Sequence, residues 1–242
     1  MKVTVVGCFG GYPEKGGATS CYLFEENDYK LVIDIGSGAL SLLPNFTQLQ
    51  EINSVIISHY HHDHIADLGV LQYFKLINQG SNGSLLPIYG HSIDQDGFSK
   101  LSHTNATEGI AYDPSQKLSI GPFKITFLKT NHPVDCFAMR IETTTATVVY
   151  TADSSYKEEF IPFSQDADLL ICDCNFYEQQ DGTKAGHMTS KEVATIASNA
   201  NVKELLLSHL PHFGTIDQLV LEAKKYYNGP VQLAKTGLIW KN

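Results

Sequence analysis

Apolar residues in this chain fall mostly into short runs broken by glycine, proline and polar turns, a pattern that suits strands more than long helices. In the first third, KVTVVG, TSCYLFEE and YKLVIDIG read as strands, with the turn-rich GGYPEKGG between the first two. SGALSLLPNF follows as a short helix, and INSVIIS is a β-branched run suited to a strand buried on both faces. In ADLGVLQYFKLINQ, Leu68, Leu71, Phe74 (or Tyr73) and Ile77 recur at helical spacing, which predicts a helix running to Gln79. The histidine-rich stretch before it therefore lies in a strand-to-helix loop.

Further on, SLLPIYGH reads as a strand, whereas residues 92–114 are polar and carry no clear period. QKLSIGPFKITFLKTNH and CFAMRIETTTATVVYTAD predict four strands in antiparallel style, with turns at Gly121-Pro122 and around Thr143 to Thr145. ADLLICDCNF is a strand, and TSKEVATIASNAN a helix with Thr189 or Ser190 as N-cap and Glu192 near the capping-box position. VKELLLSH is a strand, TIDQLVLEAKKYYNG a helix stopped by Gly229, and VQLAKTGLIW a last strand. Strands lead and helices follow in each part, which predicts a layered α+β sandwich with two sheets inside.

A chain of 242 residues without a recognisable linker is expected to form one domain over 1–242. Its N-terminal apolar run breaks at Gly7, too early for a signal peptide or membrane span, so the expected location is cytoplasmic. The five cysteines are odd in number and irregularly spaced, which argues against a disulfide framework. Cys172 and Cys174 point to one face of a strand but lack two further ligands, so they read as small buried hydrophobes. The net charge of −9, with no Lys/Arg-rich stripe, disfavours a partner as long as a nucleic acid.

The densest chemistry lies in SHYHHDHIADLG, Ser58 to Gly69. Alternation lets His59 and His61 face one metal ion while Asp63 and His64 turn toward a second, imidazole suiting zinc and carboxylate a further divalent ion. A single surface histidine would need no such explanation, but several this close would be costly if buried and unpaired. Other strand ends repeat the theme: His132 after FLKTN, Asp153 after VVYTA and His209 after LLLS. Side chains at the ends of several strands converge on one edge, where sites in layered folds are built.

These motifs, in this order, resemble the metallo-β-lactamase superfamily of binuclear metallohydrolases over nearly the whole chain. The resemblance implies a four-layer αββα sandwich, with two mixed β-sheets flanked by helices. It also implies two divalent ions, zinc first, with manganese or iron suiting similar ligands. Residue by residue, His59, His61 and His132 would bind the first ion, Asp63, His64 and His209 the second, and Asp153 would bridge them. The opening GCFGGYPEKGGATSCYL and the late ADLLICDCNFYEQQDGTKAGHMTSKEVATIASNANVKELLLSHL look like the ribonuclease Z-like branch. There a histidine matching His187 contacts the scissile phosphate and assists the leaving group. Asp173 falls where that branch has a glutamate, so this chain has a shorter side chain to reach His187.

The long basic arm that grips transfer RNA in ribonuclease Z proper has no counterpart here. A small or cyclic phosphodiester, attacked by a metal-bridging hydroxide that Asp63 orients and His187 complements as acid, is therefore the expected substrate. A lactone or ester hydrolase on the same metals, in which His187 and Asp173 would be dispensable, is the alternative; a non-catalytic metal-binding scaffold is another. The resemblance also makes a homodimer an expectation. Among the other candidates, His62 and Tyr60 occupy variable positions, His91 and His103 read as loop histidines, and His212 is near enough to the ligand loop either to support a ligand or to face the substrate. Asp34 is placed to hydrogen-bond a ligand histidine, and Asp67 to cap the following helix.

Overall fold

Among the described residues, 1–78 and 83–242 of a computed structural model, fourteen strands make two seven-stranded sheets. The first strands are β1 (Lys2–Gly7), β2 (Cys21–Glu26), β3 (Tyr29–Ile33), β4 (Ser54–Ile56), β5 (Leu86–His91) and β6 (Thr107–Tyr112). Then come β7 (Leu118–Ile120), β8 (Phe123–Lys129), β9 (Phe137–Glu142), β10 (Thr147–Tyr150), β11 (Leu169–Asp173), β12 (Leu205–Ser208), β13 (Val231–Leu233) and β14 (Ile239–Lys241). Seven α-helices accompany them: α1 (Ala39–Leu42), α2 (His62–Ile65), α3 (Leu68–Asn78), α4 (Gln95–Ser99), α5 (Phe160–Phe163), α6 (Ser190–Asn199) and α7 (Asp217–Ala223). By packing, the chain divides into one unit of Met1–Asp113, Ile120–Pro122 and Lys235–Lys241, and another of Pro114–Ser119, Phe123–Ala234 and Asn242.

The first sheet has the order β14-β1-β2-β3-β4-β5-β6 and the second β13-β12-β11-β10-β9-β8-β7. In the first, β14, β1, β2 and β3 pair antiparallel, whereas β3, β4, β5 and β6 pair parallel. The second repeats the scheme, β8, β9 and β10 antiparallel and β10, β11, β12 and β13 parallel. Parallel strands covered on both faces need near-continuous apolar runs, and β4, β11 and β12 are buried at every residue. The register sets Tyr150 opposite Ile171 and Asp173 opposite Ser208, so the carboxyl ends of β10, β11 and β12 lie nearly level.

Helix α3 turns Leu68, Leu71 and Phe74 toward the core of the first unit, where full burial of a leucine contributes about 1.5–3 kcal/mol. Tyr73 faces outward, and so does Ile77, which is 77% exposed and leaves the apolar stripe that its spacing suggested. The expected last residue of this helix, Gln79, lies outside the described residues. Helix α6 starts at an N-cap Thr189 whose hydroxyl accepts the Glu192 N–H while the Glu192 carboxylate accepts the Thr189 N–H, a full capping box.

Three local expectations change. The patternless 92–114 holds α4 and β6, the former capped by Asp94. Helix α7 ends at Ala223, well before Gly229, and Tyr227 is buried with its hydroxyl on the Val202 carbonyl. VQLAKTGLIW is two strands: β13 pairs β12, Gly237 turns the chain at φ 84°, and β14 pairs β1 in the other sheet. All five cysteines are free and buried. Among the described residues no helix is long and apolar enough to cross a membrane.

Candidate metal centre

The first unit builds its cluster where β3 and β4 end. Asp34, just past β3, adopts the left-handed φ of 55°, which costs a non-glycine residue about 1 kcal/mol and turns its carboxylate toward the end of β4. Its Oδ1 accepts the Ser58 N–H and its Oδ2 the Ser58 hydroxyl, both at 2.8 Å. The same Oδ2 lies 2.8 Å from His64 Nδ1. A carboxylate only accepts, so His64 carries its proton on Nδ1 and presents a bare Nε2, the form that ligates a divalent ion. Because the Ser58 hydroxyl is already donated to Asp34, its oxygen can only accept from His59 Nδ1, 3.0 Å away, and His59 takes the same tautomer.

The rings of His59 and His61 are 4.8 Å apart and those of His59 and His64 4.1 Å, measured between centroids. Asp63 Oδ2 accepts the Gly11 N–H at 2.9 Å and stands 3.7 Å from His64 Nε2. Gly36 permits this packing, because a Cβ there would come within 2.0 Å of the Asp63 carbonyl oxygen. Helix α2 carries His62, Asp63 and His64, but His62 is exposed and outside the cluster.

The second unit builds its cluster from the ends of β8, β10, β11 and β12. Asp153 follows Ala152 at φ 50°, and His209, just past β12, is itself at φ 50° with its carbonyl held by the Asn175 side chain at 2.8 Å. Asp153 Oδ2 lies 3.9 Å from His132 Nε2 and 3.3 Å from His209 Nε2. His132 Nδ1 donates to the Gly186 carbonyl at 3.1 Å, so its Nε2 is also the bare nitrogen. Asp173, 1% exposed, accepts the Ser154 N–H at 3.1 Å and faces His187 Nδ1 at 2.7 Å through Oδ2. The shorter aspartate therefore does reach His187. Burial pulls the His187 pKa down, but the charge and hydrogen bond of Asp173 outweigh it, and the net direction is up. His187 also stacks on His209, with centroids 4.9 Å apart.

The donor set suits divalent ions in three respects. The bare Nε2 atoms are the ligating form. The N···O separations are 3.3, 3.7 and 3.9 Å, the last two beyond hydrogen-bond range. They bracket the ~3.4 Å expected between two ligands each ~2.1 Å from one ion in tetrahedral geometry. Within the second unit Asp153 and His209 offer ligand atoms within 4.8 Å of one another, with Asp173 and His187 beside them. A buried carboxylate among neutral imidazoles is poorly compensated without a cation, which adds to the same conclusion.

Other sequence candidates lie elsewhere. Tyr60 directs its hydroxyl to the His91 carbonyl at 2.6 Å, and burial pushes its pKa up. His91 is fully buried at the end of β5 rather than in a loop, and His103 packs near Tyr73. Asp67 does not cap α3 through its side chain; its Oδ2 accepts the Leu40 N–H at 2.9 Å and ties the start of α1 to this loop. His212 is half-buried in the loop after His209 and joins none of the ligand clusters found among the described residues. Ser58 and the Gly11 N–H escaped the sequence reading, since a serine at a strand end and a backbone amide carry no motif.

Residues 30–210 match the family model of the β-lactamase superfamily domain, and the chain belongs to that superfamily. Its fold is the metallo-β-lactamase fold, two mixed seven-stranded sheets flanked by helices, and its His/Asp clusters are compatible with a metal-dependent hydrolase. The chain is 56% identical over 243 residues to the Probable metallo-hydrolase YhfI of Bacillus subtilis (strain 168), covering 100% of both chains. The crystal structure of the metallo-β-lactamase fold protein YhfI from Bacillus subtilis matches with a TM-score of 0.96 over 99% of this chain and 98% of that one. The short form of human tRNase Z shares the fold at 19% identity, with a TM-score of 0.77 and coverage of 100% and 99%. A diphosphatase of the PhnP family does so at 17% identity and a TM-score of 0.77, covering 100% and 97%.

Proposed function

We propose that the chain is a binuclear metal-dependent hydrolase of small phosphodiesters. His59, His61 and His132 would hold one ion, Asp63, His64 and His209 the other, and Asp153 would serve both. Zinc suits the imidazole-rich set, and manganese or iron suit similar ligands. When bound, such ions act as Lewis acids toward a phosphoryl oxygen and bring the pKa of coordinated water down to about 7. The 56% identity to a relative named as a probable metallo-hydrolase supports the hydrolase part.

The phosphodiester part rests on the 2.7 Å bond between His187 and Asp173. It orients the ring, holds a proton on Nδ1 and places a carboxylate where it favours the doubly protonated imidazole. His187 Nε2 is then a proton donor for the ester oxygen that leaves. Asp63, steadied by the Gly11 amide, would orient the attacking water and take its proton. A lactonase would need no such donor beside its metals. The net charge of −9 agrees with a small substrate in preference to a long nucleic acid.

Two substrates test this. The metal-loaded protein should hydrolyse bis(p-nitrophenyl) phosphate, whose leaving group needs little protonation, and a diester with an alkyl leaving group. His187→Ala should lower turnover of the alkyl ester by about 10²–10⁴ with metal content intact, and that of the nitrophenyl ester much less. Equal loss on both, or no loss on either, would remove His187 as the acid. Lactone turnover without phosphodiester turnover would replace the reading altogether.

A further inference from the structure

We propose that the cleft beside Lys75, at the far end of α3, binds a small carboxylate carried on an apolar body. Gln50, Phe74, Lys75, Asn78, Gly83 and Ser84 line it, and its volume is about 200 Å³. All six residues belong to the first unit. About 10 Å of helix separates Lys75 from Leu68, where α3 leaves the histidine loop.

The end of α3 reverses the pattern of a helix lying on a core. Lys75 stands three and four residues after Gln72 and Leu71, both buried, so it continues the inward stripe. The apolar residues that follow it point outward, Leu76 39% and Ile77 77% exposed, while Lys75 is half-buried. A lysine near the C-terminal end of a helix gains from the dipole without leaving water, so the dipole does not account for this burial. Local rules of this kind are broken where a site is built.

Burial alone pulls the Lys75 pKa down, with no carboxylate to counter it. Lys30, Lys117, Lys203 and Lys225, by contrast, each lie against a carboxylate. An ammonium partly withdrawn from water is stabilised by an anion brought to it. The neighbouring side chains define the rest of the ligand. Asn78 gives one amide N–H to the Phe74 carbonyl at 2.8 Å and has a second for a ligand oxygen. Phe74 packs against the core of the first unit and adds an aromatic wall to the cleft. A cation, an amide donor and a ring in one cleft fit a carboxylate on a short apolar body, whereas a free phosphate would leave the ring unused.

The experiment titrates the zinc-loaded, nitrogen-15-labelled protein with benzoate and with benzamide, which has the same body without the charge, and follows backbone amides by NMR. Benzoate should shift the amides of Phe74, Lys75 and Asn78 saturably. Benzamide should bind there roughly tenfold or more weakly, the loss expected when a hydrogen bond to a charged group is removed. Lys75→Gln should weaken benzoate by a similar factor and Lys75→Arg should hold it, and the same spectra show that each variant keeps the fold. Benzoate shifts confined to the histidine loop, equal affinities for benzoate and benzamide, or a benzoate affinity unchanged in Lys75→Gln would overturn the site. Inorganic phosphate binding at these amides as tightly as benzoate would overturn the apolar body.

Discussion

Asp34 is fully buried and takes three hydrogen bonds from residues 24 and 30 positions further along, Ser58 and His64. Through them it sets the tautomers of two ligand candidates at once. Asp34→Asn keeps the shape but turns an acceptor into a donor facing His64 Nδ1 or Ser58. Metal affinity should fall about 10–100-fold, read by competition with a coloured chelator. Affinity equal to that of the unmodified protein would mean that the tautomer is set by other means. The left-handed φ values of Asp34, Ala152 and His209 belong with this: each strained residue sits at a strand end and is a ligand candidate or lies beside one.

Helix α6 begins three residues after His187, and its N-cap is the same segment that pairs with Phe176. Removing the cap should therefore act on stability first. Thr189→Ala should cost about 1 kcal/mol and lower Tm by about 2–4 °C in a protein of this size, as measured by calorimetry. The capping box was visible in TSKE, because a cap needs only neighbours in the chain. The partition of VQLAKTGLIW was not. Nothing in its composition says that three residues pair with β12 and three others with β1, a choice made by the edges the two sheets leave open.

Across the molecule, the buried thiols give a test that needs no metal. Burial pushes Cys8 from 9.0 up to about 12, with Glu14 adding to the rise, and lifts Cys21, Cys172 and Cys174 well above their ordinary value. A thiol whose pKa is higher in the folded than in the unfolded protein contributes fully below the unfolded value. Above it the unfolded chain loses protons that the native one keeps. Stability should thus decline from about pH 9 toward pH 12, seen as a falling urea midpoint under reducing conditions. A midpoint rising across that range would contradict the burial of these groups. The native protein should also leave all five thiols slow toward a disulfide reagent that reacts at once with the unfolded chain.

Most strands along the chain, the loop of histidines and the appearance of His132, Asp153 and His209 at the ends of apolar runs were legible in the chain alone. Those signals are local, since side-chain periodicity and ligand spacing are written in adjacent residues. Only the folded protein decided which histidine Asp34 holds and that it holds Ser58 as well, that the short Asp173 reaches His187, and that Phe176 and Phe213 stand in a row beyond it. Each of these joins residues 14 to 37 positions apart through parallel strands or the loops that leave them. Such pairings depend on sheet order and register, which no run of neighbouring side chains encodes.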